Sequence, residues 1–256
     1  AAATGWVATQ LPARRLVPCM LSAFARYGVS VLLPRAQPDS GRLTVITAVF
    51  LAQLFVAGLN LALVGVGCGA MAGAGVGAFF IFPHVRSRVE RFLHPNVGDH
   101  YQIDTALRAF GNGGLMGRGP GEGRVKDLLP DAHADFVFAV AGEEYGLVVC
   151  MLIICVFATI VIRTLLRLIR EDDPFVIIST AGLVTGFGLQ AFVNMASSLH
   201  LIPTKGMTLP FISHGGSSAM TIALAIGMIL ALTRQQPGEN PAGSRFVATL
   251  RHWRSA

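Results

Sequence analysis

The stretch LTVITAVFLAQLFVAGLNLALVGVGCGAMAGAGVGAFFIFP, residues 43–83, contains no Asp, Glu, Lys or Arg. A helix crosses the hydrocarbon core of a bilayer with about 20 apolar residues. The run is therefore long enough for two spans, with the break expected near Gly58-Leu59-Asn60. Three further runs are free of charge: Tyr145–Ile162, Pro174–Thr204 and Gly206–Thr233. A water-soluble core has no need of such runs, whereas a membrane span must satisfy its backbone internally and keep its surface apolar. The fold class read from them is an all-α polytopic membrane protein with about six transmembrane helices and one long extracytoplasmic loop.

Composition agrees. Apolar residues make up 53% of the chain and charged residues 13%, against ~25% charged in an ordinary soluble domain. The four cysteines, Cys19, Cys68, Cys150 and Cys155, lie in or beside apolar runs without CxxC spacing, and read as packing residues. The net charge of +6 reports topology rather than nucleic-acid binding, because much of it sits in loops and tails. Ala1-Ala2-Ala3 has no initiator Met and no signal-peptide pattern follows, so the chain is read as an N-terminally truncated piece.

Basic residues collect on the cytoplasmic side of membrane proteins. Arg14 and Arg15, then Arg163, Arg167 and Arg170, then Arg234, Arg245, Arg251 and Arg254 form three such groups. Placing all three inside gives spans at roughly 16–36, 43–59, 61–83, 136–162, 174–201 and 214–233. Arg26 falls within the first, which parity nevertheless requires. Residues 1–256 then form one transmembrane domain with a large extracytoplasmic loop at 84–135 and a cytoplasmic tail at 235–256. The outer segments are the turn 36–42, the long loop, and the loop 202–213.

The long loop holds Arg86, Arg88, Arg91, Arg108, Arg118, Arg124 and Lys126, balanced by seven acidic residues. They read either as a solvated, ion-paired surface or as a site for an anionic group at the membrane face. Gly113-Gly114 and Gly117-Arg118-Gly119-Pro120-Gly121-Glu122-Gly123 lack the βαβ context of a dinucleotide fingerprint. The segment is a plain flexible loop or a backbone cradle for phosphate oxygens. Asp135 lies where the polar loop meets the next span. It is a partly desolvated base, an N-terminal helix acid, or both. Glu143 and Glu144 follow, as functional acids or as side chains snorkelling to the interface. Ser217 and Ser218, after Gly215-Gly216, are placed to cap the last helix. Asp39 is an N-cap or a second acid facing Asp135. No histidine pair has zinc spacing, and no Walker motif or Gly-x-Ser-x-Gly elbow occurs, so no metal ligands are assigned.

Taken in order, a set of short stretches carries a resemblance. They are Gln37-Pro38-Asp39-Ser40-Gly41, Arg88-Val89-Glu90-Arg91-Phe92-Leu93-His94-Pro95, Tyr101-Gln102, the glycine segment 113–121, Lys126, Pro130 to Ala139, Gly142-Glu143-Glu144-Tyr145-Gly146, and Gly206 to Ser218. Each alone is weak, but their order with these spans between them is specific. From about Gln37 to Arg234 the sequence resembles the SEDS proteins (shape, elongation, division and sporulation: FtsW, RodA and SpoVE), and FtsW more than RodA.

The resemblance implies a peptidoglycan glycosyltransferase that polymerises lipid II during cell division in the bacterial inner membrane, with its site facing the periplasm. It implies that Asp135 is the base that deprotonates the acceptor hydroxyl, with undecaprenyl diphosphate as leaving group. Arg88, Lys126 and Lys205 are implied diphosphate contacts, and Ser217 and Ser218 further substrate-binding residues. Asp39 orders the site or helps hold a divalent cation, Mg or Mn; no other cofactor is expected. The implied partners are a class B penicillin-binding transpeptidase of the FtsI type and other divisome membrane proteins. Ala134 stands where the family usually has Thr, and His214 where it usually has Tyr. The family also has more spans than the six read here, so the chain is expected to be the C-terminal portion of an enzyme or a degraded copy. A lipid II carrier or flippase would use the same cavity and cations without a base, and an inactive division scaffold would use neither.

Overall fold

A computed structural model describes residues 27–28, 30, 40–58, 61–81, 83–93, 101–129, 132–203 and 206–234. All regular structure among the described residues is helical. In chain order the helices are α1 (Ser40–Val56), α2 (Leu61–Ile81), α3 (Pro83–Leu93), α4 (Tyr101–Gly113), α5 (Val137–Leu168), α6 (Pro174–Ser198) and α7 (Gly216–Thr233). A single 3-10 turn, Val125–Asp127, lies between α4 and α5.

Helices α5, α6 and α7 are long and apolar enough to cross a membrane, and the shorter apolar stretches Gly41–Val56 and Gly65–Ile81 join them. Val148, Leu152, Val156, Ile162 and Leu166 of α5 all point outward. Such a surface suits a lipid environment, where an apolar face needs no covering. The molecule is an all-α polytopic membrane protein.

The charge-free run 43–83 breaks where expected. Helix α1 ends at Val56, the Gly58 amide donates to the Phe55 carbonyl at 3.1 Å, and Gly58 takes φ +81°. That left-handed conformation ends helices and is cheap only for glycine. Of the first expected span, 16–36, only Tyr27, Gly28 and Ser30 are described, all helical. The Tyr27 ring stacks on Phe50 of α1 with centroids 4.4 Å apart, and its hydroxyl lies 2.8 Å from Thr47 Oγ1. The tail 235–256 lies outside the described residues.

Helix α6 is the central post, packed by α1, α5 and α7. Where α1 meets it, Gln53 is buried and donates to the Ile178 carbonyl, and its amide fills the space that a side chain at Gly182 would take. Small residues that let helices approach, joined by polar links, are what holds helices together in lipid. Phe157, Phe187, Ala191, Leu209 and Ile222 form the core between α5, α6 and α7.

Two expected boundaries shift. Helix α5 runs to Leu168, so Arg163 and Arg167 are helical and the inner turn shrinks to 169–173. Arg167 in the last turn suits the negative end of the helix dipole. Asp173 caps α6 by accepting from the Phe175 amide at 2.9 Å, with Pro174 in the first turn. The long polar loop, in turn, holds α3, α4 and the 3-10 turn. Helix α4 buries Thr105, Ala106 and Ala109 and exposes Asp104 and Arg108. Its buried stripe meets Leu129, Ala132, Phe136, Ala139 and Val140 in a second core at the head of α5.

Candidate functional site at the outer end of α5

Helix α5 is discontinuous. Gly146 has φ 77° and ψ −175°, inside what is otherwise continuous helix. Only glycine adopts that region without strain. The break frees carbonyls before it and amides after it, and in a membrane these must find partners. The glycine segment supplies them. The Arg118 and Gly119 amides donate to the Glu143 and Glu144 carbonyls, each at 3.0 Å. In return the Leu147 amide donates to the Gly114 carbonyl at 3.0 Å and Val148 to Leu115 at 3.4 Å. The segment is neither a flexible loop nor a phosphate cradle, since these amides are already spent on α5.

The fit is backbone against backbone. A Cβ on Gly113 would overlap the Gly142 carbonyl, and one on Gly117 the Glu144 carbonyl. The side chains of the two acids lock the same joint. Glu143 is fully buried and accepts from Asn112 Nδ2 at 3.3 Å. Glu144 accepts from Lys126 Nζ at 3.0 Å and takes backbone hydrogen bonds from Gly121 and Gly123. Lys126 Nζ also donates to the Gly121 carbonyl at 2.8 Å. Neither acid snorkels: Glu144 binds the glycine segment, which plugs the break, and Glu143 binds Asn112 in the last turn of α4 beside it.

Asp135 sits at the head of the short outer piece of α5, half-buried. The N-cap position falls on Phe136, which makes no side-chain cap. The adjoining wall is the segment after α6. Gly206 lies so close that a Cβ there would be 3.1 Å from Asp135 Oδ2. Asn194 of α6, fully buried, donates through Nδ2 to the Asp135 carbonyl at 2.9 Å and to the Met207 carbonyl at 2.6 Å. Ser213 Oγ donates to the Ala134 carbonyl and accepts from the Leu209 amide, and the His214 amide donates to the His133 carbonyl at 2.8 Å. The segments 132–136 and 206–215 are thus stitched into one surface, which joins two of the three outer segments.

Ser218 joins this surface through Thr208 Oγ1 at 2.7 Å, and Gln190 Nε2 supports the Thr208 carbonyl at 3.0 Å. Ser217 is exposed in the first turn of α7. Neither serine is the cap, which falls on Gly215 without a side-chain bond. Arg88 lies on α3, with its side chain outside the described residues, as are Asp39 and Lys205 entirely. Among the described residues no three His, Cys, Asp or Glu side chains converge as a cation site would need. Asp39, on which the divalent-cation reading rests, lies outside the described residues, and that reading carries no step below.

Sequence reasoning passed over Asn194. It lies in a charge-free span and carries no charge signal of its own. The signal available was the cost of a lone amide in an apolar helix, which obliges it to find partners.

The chain matches the FtsW/RodA/SpoVE family model, described as "cell cycle protein", over residues 6–237. It is 46% identical over 231 residues to the probable peptidoglycan glycosyltransferase FtsW of Caulobacter vibrioides (strain NA1000 / CB15N), covering 90% of this chain and 59% of that protein. To the protein of the same name from Alkalilimnicola ehrlichii it is 36% identical over 248 residues, 89% of this chain and 61% of the other. With that from Geobacter metallireducens it shares 42% identity over 159 residues, 60% of this chain and 42% of the other. The chain thus spans about three fifths or less of the length of these relatives. A solved structure described as "Structural coordination of polymerization and crosslinking by a peptidoglycan synthase complex" shares the fold, with a TM-score of 0.72 and 23% identity over 93% of this chain and 68% of that one. The motif order, the helical membrane fold and these matches agree, and the chain belongs to the FtsW/RodA/SpoVE family of multi-pass membrane proteins.

Proposed function

We propose that this chain carries the catalytic face of a peptidoglycan glycosyltransferase that extends glycan strands from lipid II during cell division. The observation that carries the reading is Asp135: a half-buried carboxylate at the head of α5, on a surface stitched together from two segments far apart in sequence. The carboxylate removes the proton from the acceptor sugar hydroxyl as its oxygen attacks the anomeric carbon of the donor. The bond from that carbon to the diphosphate breaks, and its electron pair leaves on undecaprenyl diphosphate.

That leaving group is a weak base, so it calls for positive charge rather than a second acid. One carboxylate with cations suits this chemistry, where glycosidases use a carboxylate pair. Lys126 is engaged with Glu144 and reaches a diphosphate only by leaving it, so Arg88 and Lys205 are the first candidates for that contact. The outer end of α5, the end of α6 and the start of α7 share one side, and Arg163, Arg167 and Arg170 lie at the other end of α5. In this reading the site faces the periplasm at the division septum, the tail 235–256 is cytoplasmic, and a class B transpeptidase of the FtsI type crosslinks the product.

The test is Asp135→Asn in the full-length protein, supplied with lipid II and its cognate transpeptidase. Loss of a general base costs about 10²–10⁴-fold in rate, so glycan polymer should fall by that order while lipid II binding persists. Undiminished polymer overturns the assignment. Lipid II transport by the wild type without polymerisation would favour a carrier.

A further inference from the structure

We propose that Asn194 is a positioning residue for Asp135, holding the base at its working distance from the Gly206-Met207 backbone. This rests on the reading of Asp135 given above.

The outer piece of α5 is short, and the break at Gly146 separates it from the long helical shaft. Continuity of helix therefore does not fix Asp135. Attachments to its neighbours do: the glycine plug behind the outer piece, the Ser213 and His214 bonds to the Ala134 and His133 carbonyls, and Asn194, which bonds the Asp135 carbonyl itself. The Asn194 side-chain amide spends its N–H donors on the Asp135 and Met207 carbonyls, so one planar group spans the base and the wall it faces. The Asn194 backbone carbonyl accepts from Ser197 Oγ at 2.9 Å and Ser198 Oγ at 3.0 Å within the same helix. The whole side chain is buried, so water cannot replace it.

The geometry it sets is tight. Gly206 stands against the Asp135 carboxylate with no room for a methyl group at ordinary contact distance. Gly206 closes this side of the carboxylate, so an acceptor hydroxyl must come to its open side, and reacting atoms tolerate little displacement: about 1 Å can cost roughly a hundredfold in rate. A clamp that holds backbone rather than carboxylate acts on orientation alone, so its loss should appear in kcat and leave substrate binding in place.

The experiment uses the full-length protein with its transpeptidase and lipid II. Asn194→Ala should lower kcat about tenfold to a hundredfold with KM within about twofold of wild type. In an Asp135→Glu background, where the carboxylate is already displaced, Asn194→Ala should cost much less, because the two changes disturb the same alignment. Gly206→Ala, at an exposed position that does not threaten folding, presses the same carboxylate from the other side and should also lower kcat. It decides the matter if Asn194→Ala does not fold. The proposal is overturned if a folded Asn194→Ala and Gly206→Ala both turn over like wild type while Asp135→Asn is inactive. It is also overturned if the Asn194 and Asp135 effects simply multiply. Full polymerisation by Asp135→Asn removes the underlying reading and this proposal with it.

Discussion

Lys126 and Glu144 form a pair with 24% and 11% of their side chains exposed, so solvent screens it only in part. Charge-assisted bonds of this kind contribute about 1.5–3 kcal/mol. Lys126→Met should therefore lower the stability of the solubilised protein by about 2 kcal/mol, read as a drop in its melting temperature. Lys126→Arg should restore most of it, because the guanidinium still reaches Glu144. Unchanged stability in Lys126→Met would mean that the pair does not hold the plug, and would favour a role at the substrate. The exposed Arg86–Glu90 pair at 2.6 Å contrasts with it. Such i,i+4 surface pairs contribute little, so Arg86→Ala should leave the melting temperature within error. Asp135 itself was legible from sequence only as a boundary acid, open between cap and base. The structure assigns the cap position to Phe136, and the family resemblance supplies the other half of the case.

At the scale of elements, the decisive feature is a helix that stops and restarts. From residue 147 to 168, α5 is about 33 Å long at 1.5 Å per residue, close to the thickness of a hydrocarbon core. The outer piece, 137–145, is thus released to serve the site. Gly117→Ala would drive a methyl group into the Glu144 carbonyl at a position with φ +81°. The plug should leave the break, and the Leu147 and Val148 amides should exchange with deuterium far faster than in wild type. Slow exchange at both would show that the plug does not close the break.

The five described apolar helices were readable because charge-free runs and their flanking arginines need no partner knowledge. The break was not. Gly146 is one of many glycines in an apolar context, and only its pairing with Gly114 to Gly119, far away in sequence, marks it. Helix α4 was missed for a similar reason. Its buried stripe is Thr105, Ala106 and Ala109, too small and too little apolar to stand out inside a charged loop.

For the whole molecule, the account places Asp135, Gly206 and Ser217 on one side of the membrane and the turn 169–173 on the other. Single cysteines should report this in a background with Cys19, Cys68, Cys150 and Cys155 replaced by Ser. Ser217→Cys should react with an impermeant maleimide in intact spheroplasts, and Glu171→Cys only after permeabilisation. The reverse pattern would turn the site inward and break the proposal. The most direct test is the initial rate of glycan polymerisation from saturating lipid II, compared between wild type, Asp135→Asn and Asp135→Glu in the full-length protein with its transpeptidase. The account predicts a rate about 10²–10⁴-fold below wild type from Asp135→Asn and an intermediate rate from Asp135→Glu, with lipid II bound by all three. Polymerisation by Asp135→Asn at the wild-type rate would contradict it.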